Sequence, residues 1–259
     1  MNPISKLEDQ FSFESIDSLD KRKQALEEAV HTMKEYVKID HSVAVLSDLA
    51  DNKSYIFTGD FGSFFEMDTS GFLTIDSIWE EDIYQRIHPE DLFERNLLEL
   101  EFFNFLKNLE PNERLHYATQ CKIRTLNSKK EYQRILHRSF YLKNSSEGGL
   151  WLAVCLYNYL FEKKETLNGI DGKIVNTKTG ESFYVDTYVN CINLLTSREK
   201  EVLLLIGKGV ISKEIAGQLN ISINTVNRHR QNILEKLNVS NSIEAVRTAD
   251  ALNLLQNLI

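Results

Sequence analysis

Residues 223–237 have the apolar spacing of a helix with one buried side. At about 100° per residue, Val226, Ile233 and Leu237 fall on one side, and Arg230 falls there too. The opposite side is polar throughout and consists of Asn224, Arg228, Gln231 and Glu235. Arg pairs well with guanine edges, and Asn or Gln with adenine edges, so this side is suited to reading bases. An ordinary amphipathic helix with a solvated polar side is the alternative interpretation of this segment.

The residues before this helix predict another helix and a tight turn. Apolar residues at 215, 216 and 219 end the earlier helix, and a break follows at 220–222. Asn220 suits the reversal because Asn tolerates positive φ. Ser222 can cap the next helix by accepting from its free amides. Two helices joined by about three or four residues form a helix-turn-helix.

Two further helices are predicted on either side. Thr196-Ser-Arg-Glu199 has the pattern of a capping box that begins a helix, and Gly209 ends that helix. Residues 243–253 have helical apolar spacing and predict a last helix. The end of the chain is therefore predicted to be an all-α domain.

This segment resembles the LuxR-type (GerE-type) helix-turn-helix domain of bacterial transcription regulators. The shared motifs are, in order, Thr-Ser-Arg-Glu at 196–199, Lys-Glu-Ile-Ala at 213–216, Thr-Val at 225–226, His229 and Lys-Leu at 236–237. The resemblance implies four helices, with the third lying in the major groove of double-stranded DNA. It also implies binding as a homodimer.

The resemblance assigns roles to individual side chains. The expected base-reading residues are Asn227, Arg228 and Gln231, to which the helical pattern adds Asn224. The expected phosphate-binding residues are Lys213, Thr225, His229 and Lys236, and Arg230 is a further donor for phosphate oxygens.

Three positions depart from the family pattern. Asn227 stands where Lys is usual, so one charge contact is lost and a polar base reader is gained. Asn220 replaces the usual turn Gly. Ile211 replaces the usual cap Ser, and Ser212 is expected to cap the helix one residue late. Because of the change at Asn227, the DNA sequence that this chain prefers is not expected to follow the family's usual operator preference.

The first two thirds of the chain alternate between helical and strand patterns. Residues 20–37 predict an amphipathic helix, interpreted as a capping helix of the first domain, with a helical dimer contact as the alternative. The segment His88-Pro-Glu-Asp-Leu begins a helix that continues to residue 109. Strands are predicted at 43–46, 55–57, 117–126, 132–142 and 150–160. A hairpin is predicted in 172–186, where it would cover a sheet edge or join the domains. No regular element is predicted at 61–75.

Two short strands, a helical middle and a three-strand meander are the order of elements in a PAS-type sensor domain. Residues 42–161 resemble such a domain, and the chain as a whole resembles the PAS-plus-LuxR-type regulators of Bacteroidetes. The expected fold class is α+β. A PAS-like antiparallel sheet with helices would occupy residues 1–165, a hairpin and linker 166–193, and the four-helix domain 194–259.

The chain is acidic, with a formal net charge of −8. From residue 190 onward, however, there are 8 Lys and Arg against 6 Asp and Glu, which gives +2 and leaves −10 for the rest. The local potential near 228–236 can therefore favour phosphate. With few cations the salt-dependent part of DNA binding should be modest, so a dimer would have to raise affinity by linking half-sites.

No residue pattern indicates an enzyme or a bound cofactor. The chain has no phosphate-binding Gly-rich loop, Gly-x-Ser-x-Gly elbow or Cys-x-x-Cys pair. His88, Glu90 and Asp91 could form a metal or acid–base site, although capping of the following helix explains all three.

Two cofactor alternatives remain open. His116 and His137 could ligate haem, but we interpret them as solvent-facing strand histidines. Asn190-Cys191 is faintly similar to the flavin-reactive cysteine motif of light-sensing PAS domains, yet it comes after the predicted sheet.

The remaining sequence features favour the cytoplasm. No apolar run approaches the roughly 18 residues of a membrane span, and the N-terminus lacks a signal-peptide pattern. Three cysteines without ligand spacing indicate a reducing compartment.

Two functions fit the sequence. The first is a sequence-specific DNA-binding transcription regulator whose PAS-like domain senses a small-molecule ligand or a partner. The alternative is a sensor or adaptor that acts through protein–protein contacts, with the helix-turn-helix as a docking surface. The acidic balance and the absence of Lys at 227 favour the alternative slightly.

Overall fold

The computed structural model describes residues 19–69, 71–145, 149–161, 169–185, 195–237, 239–251 and 254–255. These residues divide into two compact units after Val185. The first contains a β-sheet with helices, and the second is entirely helical where it is described. The α+β fold class is therefore confirmed. None of the described helices combines the length and apolar character needed to cross a lipid bilayer.

The first unit contains one antiparallel sheet in the order β3-β2-β1-β6-β5-β4-β7-β8. The strands are β1 (Val43–Asp48), β2 (Lys53–Thr58), β3 (Phe72–Ile75), β4 (Tyr117–Leu126), β5 (Tyr132–Asn144), β6 (Leu150–Tyr159), β7 (Lys173–Asn176) and β8 (Ser182–Tyr184). The nearly continuous apolar pattern of β6 predicts a central strand, and the structure confirms this, because β6 lies between β1 and β5.

Both faces of the sheet are covered by helices. Residues of β1 alternate between two apolar clusters, since Val43 and Val45 belong to one and Ala44 and Leu46 to the other. Such alternation assigns the clusters to opposite faces. Helix α1 (Leu19–Asp40) packs on one face, which confirms the predicted capping helix. The other face packs against a 3-10 helix (Asp60–Phe65), α2 (Glu81–Tyr84) and α3 (Pro89–Lys107), and a short α4 (Pro111–Arg114) follows in the chain.

Four elements were not predicted from the sequence. The 3-10 helix, β3, α2 and α4 are each six residues or shorter. Phe61, Phe64 and Phe65 are buried; the rings of Phe61 and Phe64 are stacked, and the ring of Phe65 meets both of them edge-to-face. Elements this short contain too few residues for a helical or a strand period to be recognised in the sequence.

The predicted hairpin extends the sheet. Strand β7 pairs with β4 from Gln120↔Lys173 to Tyr117↔Asn176, and β8 pairs with β7. Between β7 and β8, Gly180 has a φ of +79°, which glycine adopts without strain. Of the two predicted roles, covering a sheet edge or joining the domains, the described residues support the first.

The interpretation of His88, Glu90 and Asp91 as capping residues is wrong in part. Pro89 does begin α3, but no side chain caps this end of the helix. Asp91 instead accepts hydrogen bonds from the backbone amide of Arg124 at 2.6 Å and from its guanidinium at 2.5–3.1 Å. Glu90 accepts from the same guanidinium at 2.7 Å. A cation from β4 therefore already pairs with both carboxylates.

The interpretation of His137 as a solvent-facing residue is also wrong. Its side chain lies in the core, with 1% of the residue exposed, and its ring contacts Tyr157 at a centroid distance of 4.9 Å. Buried residues alternate with less buried ones along β5, so His137 faces the same side of the sheet as the buried Ile135. His116 is half-buried and precedes the first residue of β4. Asn190 and Cys191 lie outside the described residues.

The second unit contains the four predicted helices. They are α5 (Ser197–Gly207), α6 (Ser212–Leu219), α7 (Ile223–Leu237) and α8 (Ser242–Ala251). Helices α5 and α6 both pack on α7, and α8 packs on α5 and α7. The predicted capping box of α5 is present, with Thr196 and Glu199 exchanging hydrogen bonds through both backbone and side chains. Gly209, at a φ of +79°, follows the end of α5.

Candidate nucleic-acid interface

The turn between α6 and α7 has the predicted geometry. Asn220 ends α6 in the left-handed region, with φ 52° and ψ 46°. The hydroxyl of Ser222 accepts a hydrogen bond from the backbone amide of Thr225 at 3.1 Å, which confirms Ser222 as the cap of α7. The two helices therefore form the helix-turn-helix that the sequence predicts.

Helix α7 has one buried and one exposed side, as its sequence predicts. Val226, Ile233 and Leu237 are buried. The residues predicted to read bases are all exposed: Asn224, Asn227, Arg228 and Gln231. None of these four side chains makes a hydrogen bond or an ion pair with a described residue. The apolar side thus fixes the helix on the core, while the polar side is available to an external partner.

The predicted phosphate-binding residues differ in their exposure and in the contacts that they already make within the domain. Lys213 is exposed in the first turn of α6. The Thr225 hydroxyl lies 2.8 Å from that of Ser222, next to the cap of α7. His229 is half-buried, and its Nδ1 has no hydrogen-bond partner among the described residues. Lys213 makes no hydrogen bond or ion pair with a described residue, so its ammonium group is available to an external phosphate.

Arg230 links three helices. Its guanidinium donates to the Ser212 hydroxyl at 3.2 Å and to the Ser242 hydroxyl at 2.9 Å. These serines begin α6 and α8, so Arg230 holds α7 against both helix starts. The predicted late cap at Ser212 is wrong, because α6 begins after Ile211 without a side-chain cap. The half-buried position of Arg230 agrees with its place on the core side of α7.

Lys236 binds Glu199 through an ion pair of 2.6 Å. Glu199 is buried at the start of α5 and also accepts from the Thr196 amide at 2.8 Å. Burial alone would raise the pKa of this carboxyl, but the hydrogen bonds from Lys236 and Thr196 outweigh it and lower the pKa. The capping box and the end of α7 are therefore joined through one carboxylate.

Arg198 is a further positioning residue that the sequence did not reveal. Its guanidinium donates to the carbonyl of Leu219, at the end of α6, and pairs with Glu201 at 2.5 Å. The acceptor is a backbone group that any residue would supply, so no side-chain pattern identifies the contact. It stabilises the end of α6 directly before the turn.

We expect Glu199→Gln to destabilise the helical unit by about 1.5–3 kcal/mol at pH 7, the range for a charged hydrogen bond. Gln can still complete a capping box, so the substitution isolates the loss of charge. Because the folded pKa is lowered, the contribution is full above the unfolded pKa of about 4.3 and disappears as pH falls through the folded pKa.

The measurement is chemical denaturation followed by NMR signals of α5 and α7 between pH 7 and pH 3. The wild-type protein and the Glu199→Gln variant should converge at the acidic end. Glu235→Gln is a suitable control, because Glu235 is exposed on α7 and makes no hydrogen bond or ion pair with a described residue, so the substitution should leave stability unchanged at every pH. A constant difference between wild type and Glu199→Gln at every pH would contradict the assignment.

The helical unit is similar to parts of known proteins. Residues 193–249 match the family model described as bacterial regulatory proteins, luxR family. The uncharacterized response regulatory protein YgeK of Escherichia coli (strain K12) is 51% identical over 57 residues, which are 22% of this chain and 39% of that protein. The response regulator protein VraR of Staphylococcus aureus (strain Mu3 / ATCC 700698) is 49% identical over 63 residues, 24% of this chain and 30% of that protein. The chain thus spans 30–39% of the length of these relatives.

Among solved structures, the Vibrio cholerae VqmA dimer aligns with 87% of this chain and 88% of its own, at 13% identity and a TM-score of 0.30. Escherichia coli SdiA aligns with 98% and 97%, at 14% identity and a TM-score of 0.24. The residues that match the luxR family model include α5, α6, α7 and most of α8.

Proposed function

We propose that this protein is a sequence-specific DNA-binding transcription regulator, not an enzyme, that acts in the cytoplasm as a homodimer. The observation that supports it best is the polar side of α7. Four side chains able to bind base edges are exposed and have no partner among the described residues, while the opposite side of the helix is buried. The family match of residues 193–249 agrees with this proposal.

In this proposal α7 lies in the major groove. Arg228 would bind guanine, and Asn224, Asn227 and Gln231 would bind adenine or other base edges. Lys213, Thr225, His229, Arg230 and Lys236 would contact phosphates. Since Arg230 and Lys236 already bind partners within the domain, their proposed contacts to phosphate are shared with a positioning role.

We also propose that the first unit is a PAS-like sensor domain. The support is its order of elements, in which two strands and a helical middle precede the β4–β5–β6 meander, and β6 returns to pair with β1. Proposed domain limits are 1–165 for the sensor, 166–193 for the hairpin and linker, and 194–259 for DNA binding. A small molecule or partner protein would act by binding two arrangements of the dimer unequally.

One observation favours a second function, an adaptor that docks proteins through the helix-turn-helix. Lys236 is neutralised by Glu199, and Arg230 is partly buried, so few cations of this surface are free for DNA. Together with the net charge of −8, this would weaken attraction to duplex.

The two functions are separated by selecting the preferred duplex from a random pool and then measuring its affinity over a salt series. A regulator should bind the selected duplex far more tightly than a scrambled one, with a slope of log K against log salt of about −0.9 per phosphate contacted. An adaptor should select no sequence and bind either duplex only at millimolar concentration, even at low salt.

A further inference from the structure

A pocket of about 480 Å³ lies in the first unit, where the end of α1 meets the end of β2 and the start of β3. Its lining combines apolar and charged side chains, among them Val37, Phe57, Phe72, Lys34, His41 and Asp60. We call it the edge pocket, because β3 is the outermost strand at this end of the sheet. Small-molecule sites usually have volumes of about 300–1,000 Å³ and a largely apolar lining with a few polar groups. The edge pocket has both properties.

Backbone contacts fix the walls of the edge pocket. Gly59 lies against the end of α1, where a Cβ atom would be 2.6 Å from the carbonyl oxygen of Val37. The amide of Gly59 donates to the carbonyl of Ser42 at 2.7 Å. The chain before β3 is held in a similar way, because the Gly71 amide donates to the Thr58 hydroxyl at 2.8 Å and the Thr58 amide donates to the Gly71 carbonyl at 3.2 Å. Walls held in this way reduce the ordering cost of binding a ligand.

Phe72 gives the edge pocket an aromatic surface that the fold leaves partly uncovered. Its ring lies 5.2 Å from that of Phe57 and stacks at 6.3 Å with that of Tyr55, measured between ring centres. The residue is nevertheless 50% exposed. The ammonium of Lys34 lies 4.9 Å from the centre of the same ring. Aromatic rings attract one another beyond the effect of burial alone, so this surface favours a ligand that contains a ring.

The charges of the lining favour a ligand with one negative charge. The carboxylate of Asp60 already lies 2.9 Å from Nδ1 of His41. The ammonium of Lys38, which also lines the pocket, pairs with Glu35 at 2.6 Å. Lys34, in contrast, makes no hydrogen bond or ion pair with a described residue. Its ammonium is therefore available to an acid group in the pocket.

We propose that the edge pocket binds a small aromatic carboxylate. The acid group would bind the ammonium of Lys34, and the ring would contact Phe72 and the apolar residues Val37 and Phe57. The short distance between the Lys34 ammonium and the Phe72 ring allows one small molecule to make both contacts. As the signal of a sensor domain, such a ligand deepens the proposed function and rests on it.

The test titrates the full chain with 2-naphthoate and with 2-naphthamide, an uncharged molecule of nearly the same shape, and follows the NMR signals of each probe. We expect 2-naphthoate to bind saturably with a Kd below about 1 mM, as the usual binding energy per atom predicts for a ligand of this size. 2-Naphthamide should bind about three- to fivefold more weakly at low salt, because it lacks one exposed ion pair. High salt should remove most of this difference.

Lys34→Met tests the contact with the acid group, because it keeps an unbranched side chain and removes the charge. It should weaken binding of 2-naphthoate about three- to fivefold and leave that of 2-naphthamide unchanged, so that the two probes bind equally. Lys23→Met is the matched control. Lys23 is also exposed on α1, but it lies about three helical turns earlier and does not line the pocket, so this variant should keep the preference for 2-naphthoate.

Phe72→Ala tests the contact with the ring and should weaken binding of both probes about tenfold. Leu73→Ala is the matched control, because Leu73 is exposed to the same extent on the same strand. Side chains alternate along a strand, so Leu73 points to the other face of the sheet. Both probes should bind the Leu73→Ala variant as they bind the wild-type protein.

Three results would overturn the proposal. They are no saturable binding of 2-naphthoate below about 1 mM, equal affinity of the wild-type protein for the two probes at low salt, and equal effects of a variant and its matched control. Binding to the selected duplex is measured on the same samples without a probe. Absence of sequence-specific binding together with the expected probe results would refute the regulator and support the pocket, and the converse would refute the pocket alone.

Discussion

Alanine in place of Arg228 is expected to weaken binding to the selected duplex by about 1–3 kcal/mol, the range for one bidentate base contact. The side chain is exposed on α7 and has no partner among the described residues, so its removal should leave the fold unchanged. Binding to a scrambled duplex should fall much less, because a base contact contributes only where the correct base is present. Gln231→Ala should show the same discrimination.

The measurement is the affinity of each variant for both duplexes at one fixed salt concentration. Arg247→Ala is the matched control, since Arg247 is also exposed but lies on α8. It removes the same charge and should change neither the affinity ratio nor the selected sequence. Equal losses on both duplexes for Arg228→Ala would refute base reading and leave only a charge contact.

Leucine in place of Arg124 is expected to destabilise the first unit by about 3 kcal/mol. Removing one partner of a buried ion pair leaves an uncompensated charge, which usually costs about 3–5 kcal/mol. Asp91 is fully buried and accepts three hydrogen bonds from the Arg124 guanidinium, as well as one from its backbone amide. The lower end of the range applies because Arg124 is about one third exposed.

Urea unfolding followed by tryptophan fluorescence measures this effect in the first unit. Arg86→Leu is the control with the same substitution, because its partner Glu66 is far more exposed than Asp91 and keeps Lys130 as a second partner. Exposed pairs contribute about 0–1 kcal/mol. If the two variants were destabilised equally, Asp91 would not depend on Arg124.

Long periodic elements could be predicted from the sequence because their signal is local. The alternation of β4 and the 3.6-residue period of α7 each extend over ten or more residues. The caps Ser222 and Thr196 and the left-handed Asn220 were predictable as well, since each depends on the intrinsic properties of one residue type. The exposed and buried sides of α7 followed directly from this pattern.

Contacts between distant residues could not be predicted in this way. The pairing of Asp91 with Arg124 joins positions 33 residues apart. The acidic residues at the start of α3 do not indicate by themselves whether a distant cation pairs with them. His137 was misjudged because alternation identifies two faces of a strand but not which face is covered. Only the packing of α3 and α1 on opposite sides of the sheet decides that.

The pairing of β7 with β4 keeps in the sheet a segment that lies close in sequence to α5. In sequence, α5 begins at Ser197, 12 residues after Val185. If the pairing of β7 with β4 were broken, residues 171–185 would leave the sheet and add about 50 Å of contour length, at roughly 3.3 Å per residue, to the chain before α5. For the proposed dimer, the spacing that two half-sites can tolerate would then depend on four paired residues at the margin of a β-sheet.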